Sequence, residues 1–148
     1  MKTKEFSKKL HDQYDKFGRD IVKKYFQDAS VIVATDNPDP YGVDLILTLK
    51  TGGSRTGYAE VEVRNSWRGI TFPYRDLNIP ARKAKLLRRG LDGLPVLFFS
   101  INREGTALFY CNGQKVLKNA PVKLDNKYVK GEHFYKVDLS DLIYRVLK

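Results

Sequence analysis

Apolar and polar residues alternate through two neighbouring stretches of the chain. Residues 42–50, Gly-Val-Asp-Leu-Ile-Leu-Thr-Leu-Lys, and residues 57–65, Gly-Tyr-Ala-Glu-Val-Glu-Val-Arg-Asn, both show the two-residue period of a β strand. The turn-rich segment between them carries Gly52 and Gly53, so the pair predicts a hairpin. Ahead of it, residues 3–27 predict a helix: Phe6, Leu10, Phe17, Ile21 and Tyr25 recur on one face, with Tyr14 between them and Gly18 weakening the middle. Residues 31–33 predict a short strand, and Asn37-Pro38-Asp39-Pro40 a loop. After the hairpin a second helix is predicted from near Ile79, with Asn78 as N-cap, Pro80 in the first turn and Gly90 as the stop. Residues 94–101 are an apolar run of buried-strand length. Residues 106–111 and 114–117 predict a further hairpin about Asn112-Gly113. Residues 132–137 predict a strand and residues 139–147 a closing helix, while 121–130 carries no clear pattern. No repeat or linker interrupts this order. The expectation is one α/β domain over residues 1–148, a central mixed sheet flanked by helices.

Charge adds a partner to this picture. Lys and Arg number 27 against 17 Asp and Glu, a net charge of +10. Basic side chains gain affinity for nucleic acid by displacing counterions from its phosphates, which points to a polyanionic partner. A solvated, highly charged surface is the plainer reading. A membrane surface would call for an amphipathic helix with Trp or Phe opposite a Lys-rich face, and none is evident. No apolar run reaches the ~20 residues that a bilayer requires, and the N-terminus lacks the apolar core of a secretory signal. Cys111 is the sole cysteine, which excludes an intramolecular disulfide, and His11 and His133 lie too far apart to suggest a zinc site. An intracellular, cytoplasmic protein without a membrane partner is the default expectation.

Strand parity then locates candidate chemistry. Val43, Leu45, Leu47 and Leu49 share one face of the first strand, and Ala59, Val61 and Val63 one face of the second. If both rows line one core, paired residue numbers must sum to an even value, and the turn position sets that sum at about 104–108. Asp44 then lies opposite Glu60, Glu62 or the residue beyond, on the other face of the sheet, with opposed Cβ atoms about 5 Å apart. Three carboxylates in one patch repel each other, and a hard divalent cation would supply their counter-charge. A wet hairpin face neutralised by nearby Lys and Arg is the other reading, and the hairpin alone leaves both open.

The run Gly42-Val43-Asp44-Leu45-Ile46, a short hairpin, and then Glu60-Val61-Glu62-Val63-Arg64 resembles the PD-(D/E)XK nuclease superfamily of restriction enzymes, Holliday-junction resolvases and phage endonucleases. The resemblance covers roughly residues 15–102. It implies a restriction-endonuclease-like core of a helix, a strand meander, a second helix and a further strand. In that family the strand Asp and the Glu of the E-x-K element bind magnesium or manganese, roles that fall here on Asp44 and Glu60. The literal Pro38-Asp39 sits in a Pro-rich loop before the strand and is a decoy. Glu62 occupies the usual Lys position, as in a minority of the superfamily. A Lys there would steady the attacking hydroxide or the phosphate charge, whereas a Glu acts as general base or second-metal ligand. Arg64, two residues along on the same face, either stabilises the phosphate or simply pairs with Glu62. The resemblance also implies an acidic metal ligand from the first helix. Asp20 is the first choice, followed by Asp15 and Glu5, with an ordinary exposed helical acid as the alternative for each. Junction resolvases and many restriction enzymes are dimers, so a homodimer is implied as well, although no stretch carries an interface signature.

Arg82, Lys83, Lys85, Arg88 and Arg89 fall in one acid-free stretch, with Arg82, Lys85 and Arg89 on one helical face. Phosphate contact and a solvated charged face are the two readings, and like charges without helical partners favour the first. One of Arg82, Lys83 or Lys85 is also positioned to replace the missing strand lysine, because that residue migrates within the superfamily. Trp67, Phe72 and Tyr74 either stack on bases or anchor the core, with Arg68 and Arg75 beside them. Together these features predict a magnesium-dependent endodeoxyribonuclease acting on DNA. The alternatives are a catalytically inactive nucleic-acid-binding protein on the same fold and a protein whose charge serves a protein partner.

Overall fold

The computed structural model describes residues 8–29, 31–39, 42–88, 93–124 and 132–147. Helix α1 (Lys8–Ala29) precedes an antiparallel meander of β1 (Ile32–Asp36), β2 (Leu45–Leu49) and β3 (Arg55–Arg64). A crossover then carries β4 (Asp76–Pro80), a 3₁₀ turn at Ala81–Lys83 and the short helix α2 (Ala84–Leu87) before β5 (Val96–Asn102) pairs parallel to β3. The chain continues through β6 (Ala107–Asn112), α3 (Gly113–Leu117), β7 (Val122–Leu124), β8 (Glu132–Asp138), a second 3₁₀ turn and β9 (Ile143–Val146). The main sheet has six strands in the order β1-β2-β3-β5-β6-β9, and β4-β8-β7 form a second sheet of three. The fold is mixed α/β.

Each face of the main sheet carries its own core. On one, Val22 and Phe26 of α1 pack on Leu45, Leu47, Ala59, Val61, Phe99 and Ile101. These are the odd-numbered rows of the hairpin, and their register, Leu45↔Ala59 and Leu47↔Gly57, has the predicted even sum before a bulge at Leu47/Thr48. Gly18 is not a weak point of α1. A Cβ there would lie 2.9 Å from Val63 Cγ2 and 3.0 Å from Val61 Cγ1, so the helix rests on β3 at a distance that a glycine permits. On the other face, Leu77, Ile79 and Leu87 from the crossover join Trp67, Val96, Phe98 and Val137. The sheet is therefore not flanked by long helices on both sides: one face is covered by α1, the other by the smaller sheet and two short helices.

Three predicted elements take another form. The helix expected from Ile79 begins later and is only the turn and α2, because Leu77 and Ile79 are fully buried and pair as a strand with Val137 and Tyr135. Pro80 closes that strand at Phe134 rather than opening a helix. Residues 114–117 are helical, not a strand, because the Asn112 side chain accepts a hydrogen bond from Gln114 N (3.0 Å) and acts as an N-cap, not a hairpin turn. The closing helix is replaced by β9, whose register on β6 pairs Tyr144 with Phe109. The first and third reversals share an origin, a partner strand distant in sequence that outweighs the local pattern, whereas the second is a local capping effect.

Candidate functional site

Tyr58, Glu60, Glu62 and Arg64 occupy the even-numbered face of β3, towards the crossover. That face is covered, not wet, and Glu60 retains only 4% exposure. Asp44 lies where β2 leaves β3. Tyr58 N–H donates to Pro95 O, so alternate amides of β3, including that of Val61, point towards β2. Continuing the register would set residue 43 opposite Val61, but β2 has turned away. Val43 O accepts instead from Asn37 Nδ2 (3.0 Å), and Asp44 O from Asn37 N (3.1 Å). The Asp44 carboxylate takes the ladder position, accepting from Val61 N at 2.7 Å. One carboxylate oxygen is thereby fixed, and the Val61 carbonyl faces the gap that the departing strand leaves.

Lys83, the last residue of the 3₁₀ turn, reaches into this gap from the crossover. Its Nζ lies 3.0 Å from Glu60 Oε2, an ion pair with both side chains largely buried. Burial raises the Glu60 carboxyl to about 7; the Lys83 charge opposes this and the Asp44 charge adds to it. Burial likewise raises Asp44, against its hydrogen bond from Val61. Burial disfavours the Lys83 ammonium, but Glu60, Glu62 and Asp44 outweigh it and hold its pKa above the ordinary lysine value. The remaining carboxylate oxygen, Glu60 Oε1, is buried with no donor when Glu60 is ionised, and the Asp44 carboxyl lies within hydrogen-bond reach of Glu60, so that the two can share a proton. A cleft of about 430 Å³ opens beside them, walled by Tyr14 and Asp15 of α1, Gly42 and Asp44, Glu60 and Glu62, and Arg82 and Lys83.

Glu62 lines the same cleft but is already paired, with Arg64 Nη2 at 3.0 Å from its Oε2. Arg64 also donates from Nε to Ser100 Oγ and from Nη2 to Asn78 O, and so ties β3 to β5 and β4. Of the first-helix acids among the described residues, Asp15 lines the cleft, its carboxylate paired with Arg19, and Asp20 does not. Asp20 lies away from the cleft in exposed pairs with Lys16 (2.8 Å) and Lys23 (3.9 Å). Five residues separate the two acids, about 140° around a helix. Gly18 marks the face that meets β3, and Asp15, one turn before it, is the acid that this glycine indicates. Glu5 lies outside the described residues, as does Arg89.

Of the other basic residues, Arg82 lines the cleft, while Lys85 and Arg88 are exposed beyond it. Arg68 is exposed on the loop after β3, and Arg75 lines a separate cleft past Arg64. Trp67 is fully buried, stacked on Phe109 and edge-on to Phe72; only Tyr74 of the three loop aromatics is exposed.

Among the described residues no three His, Cys, Asp or Glu side chains converge as a metal group. The donors at the gap are two carboxylates and a carbonyl, all hard oxygens. Magnesium characteristically takes one or two carboxylates and keeps several waters, so this donor set fits it; without metal the Asp44 and Glu60 carboxyls hydrogen-bond each other through a shared proton, which a cation would replace. Comparison of the chain with protein-family models, curated proteins and solved structures finds no match.

Proposed function

We propose that the chain is a metal-dependent endodeoxyribonuclease of the PD-(D/E)XK type. One observation carries this reading: Asp44, Glu60 and Lys83 meet at one cleft, with the two carboxyls within hydrogen-bond reach of each other and the ammonium against one of them. The chain order supports it, since a helix, a three-strand meander, a crossover of one strand, a 3₁₀ turn and a short helix, and a further strand follow one another. Asp44 and Glu60 hold magnesium or manganese, which when bound polarises a phosphate oxygen and lowers the pKa of a water. Lys83 takes the place of the lysine missing at position 62. It approaches the Glu60 carboxylate from the crossover, not along the strand, and its ammonium holds the charge of the phosphate beside the carboxylates. Glu62 lies on the same cleft wall, positioned by Arg64, and serves as the proton acceptor. Arg82 at the rim, and Lys85 and Arg88 beyond it, hold the nucleic-acid backbone.

The test is incubation with linear, nicked, single-stranded and four-way-junction DNA in magnesium, manganese and EDTA, using wild type, Asp44→Ala and Glu60→Ala. Cleavage by wild type alone, and only with metal, is expected. Binding without turnover by wild type would assign the chain to the alternative, a nucleic-acid-binding protein that has lost catalysis. Wild-type rates from either variant would remove the site.

A further inference from the structure

Beyond the Glu62–Arg64 pair lies a second cleft of about 320 Å³. Arg64 forms one wall, and Glu60 and Arg64 are about 13 Å apart along β3 at ~3.3 Å per residue. The two clefts are thus successive stations on one strand, with the ion pair between them. The β4–β8 register sets Asn78 opposite Lys136, so both line this cleft, together with Tyr74 and Arg75. With Arg64 committed to Glu62, Arg75 and Lys136 outnumber the lining acid, Asp76. Asp138, opposite Asp76, lies outside the lining; its carboxylate accepts from the Ser140 amide and hydroxyl and also interacts with Arg75, which leaves Lys136 the cation more open to a phosphate.

Two further features narrow the ligand. Asn78 Oδ1 is a buried acceptor with no hydrogen-bond partner. It requires a donor, which neither sulfate nor a phosphodiester can give, whereas a nucleobase amino group or a sugar hydroxyl does. Tyr74 is 53% exposed, yet its ring is fixed edge-on against Phe72 at 5.5 Å, and Phe72 in turn against buried Trp67 at 5.2 Å. A rigid aromatic with open surface at the mouth of a cationic cleft is a platform for a base. In a continuous duplex the bases stack on one another and present phosphates outward, which leaves such a ring nothing to stack on.

We infer that this second cleft is a subsite for one unpaired nucleotide, its base on Tyr74 and beside Asn78, its phosphate between Arg75 and Lys136. As a specificity device it rests on the nuclease reading, and it selects substrates with a single-stranded segment next to the scissile bond.

The experiment is fluorescence anisotropy with a labelled oligodeoxycytidylate, whose bases carry the amino group that Asn78 Oδ1 calls for, and a blunt duplex of equal length, in EDTA so that nothing is cut. Tyr74→Ala is expected to weaken single-strand binding about tenfold and duplex binding less than about twofold, and Tyr74→Phe to retain wild-type affinity for both. Unchanged single-strand affinity in Tyr74→Ala, equal losses on both probes, or a wild type that does not bind the single strand would overturn the subsite. Binding is read without metal, so the two failures are separable. A protein that passes this test but cuts no DNA overturns the nuclease reading alone. One that cuts DNA but is insensitive to Tyr74→Ala overturns the subsite alone.

Discussion

Glu60 is a carboxylate placed where it is costly to ionise. Its folded pKa of about 7 exceeds the ordinary 4.5, so the native protein binds this proton more tightly than the unfolded chain does. The associated stability is present below pH 4.5 and is lost as the pH rises through 7. Glu60→Gln removes the charge and keeps the shape. In metal-free buffer it should stabilise the fold by about 2 kcal/mol at pH 8, less than the full shift because Asp44 titrates with it, and by nothing at pH 4. Thermal midpoints across this range test the sign. Lys83→Met should reduce turnover by about 10²–10³ through loss of the charge that faces the phosphate; because the Lys83 charge also holds the Glu60 pKa down, its loss should move metal binding to higher pH rather than abolish it, and cleavage assays beside metal titrations at several pH values separate the two. At this scale strand parity makes Asp44 and Glu60 legible as neighbours. It cannot decide among Arg82, Lys83 and Lys85, because which of them points inward depends on a 3₁₀ turn after Pro80. Asp15 is legible in principle, one helical turn from the glycine that meets β3, but the resolvase-like pattern around Asp20 obscures it.

Elements set the site through two junctions. The first is α1 on β3, where Gly18 allows the approach that brings Tyr14 and Asp15 to the cleft. Gly18→Val should cost about 2 kcal/mol by overpacking against Val61 and Val63, which exceeds what the residue regains in helix propensity; denaturant unfolding measures it. The second is the crossover. Its strand β4 has the alternation of a strand in Leu77 and Ile79, but Asn78 and Pro80 imitate a helix start, and only the distant β8 resolves the two. Residues 139–147 imitate a helix for the same reason, since β9 exists through its pairing with β6. The exposed basic residues of the crossover hold phosphates in the proposed function. Replacing Arg82 and Lys85 with Ala should then reduce the log–log salt slope of duplex binding by about 0.9 for each phosphate that is no longer neutralised. A slope equal to that of wild type would assign them to solvent.

Across the whole molecule, one sheet is covered on both faces, and the site sits where its third strand loses a neighbour. The departure of β2 frees an amide and a carbonyl, Asp44 takes the amide, and the crossover brings Lys83 over the buried Glu60. No helix of the described residues is long and apolar enough to cross a membrane. The net charge of +10 suits an anionic partner at this surface. If Asp44 and Glu60 form a divalent-cation site, calorimetric titration with manganese detects it. Because the metal must displace the proton on Glu60, whose pKa is about 7, affinity at pH 6 should be about tenfold weaker than at pH 8. The expected result is saturable binding by wild type at pH 8, weakened at pH 6 and lost in Glu60→Gln. Absence of binding in wild type at pH 8, or undiminished binding in Glu60→Gln, would contradict it.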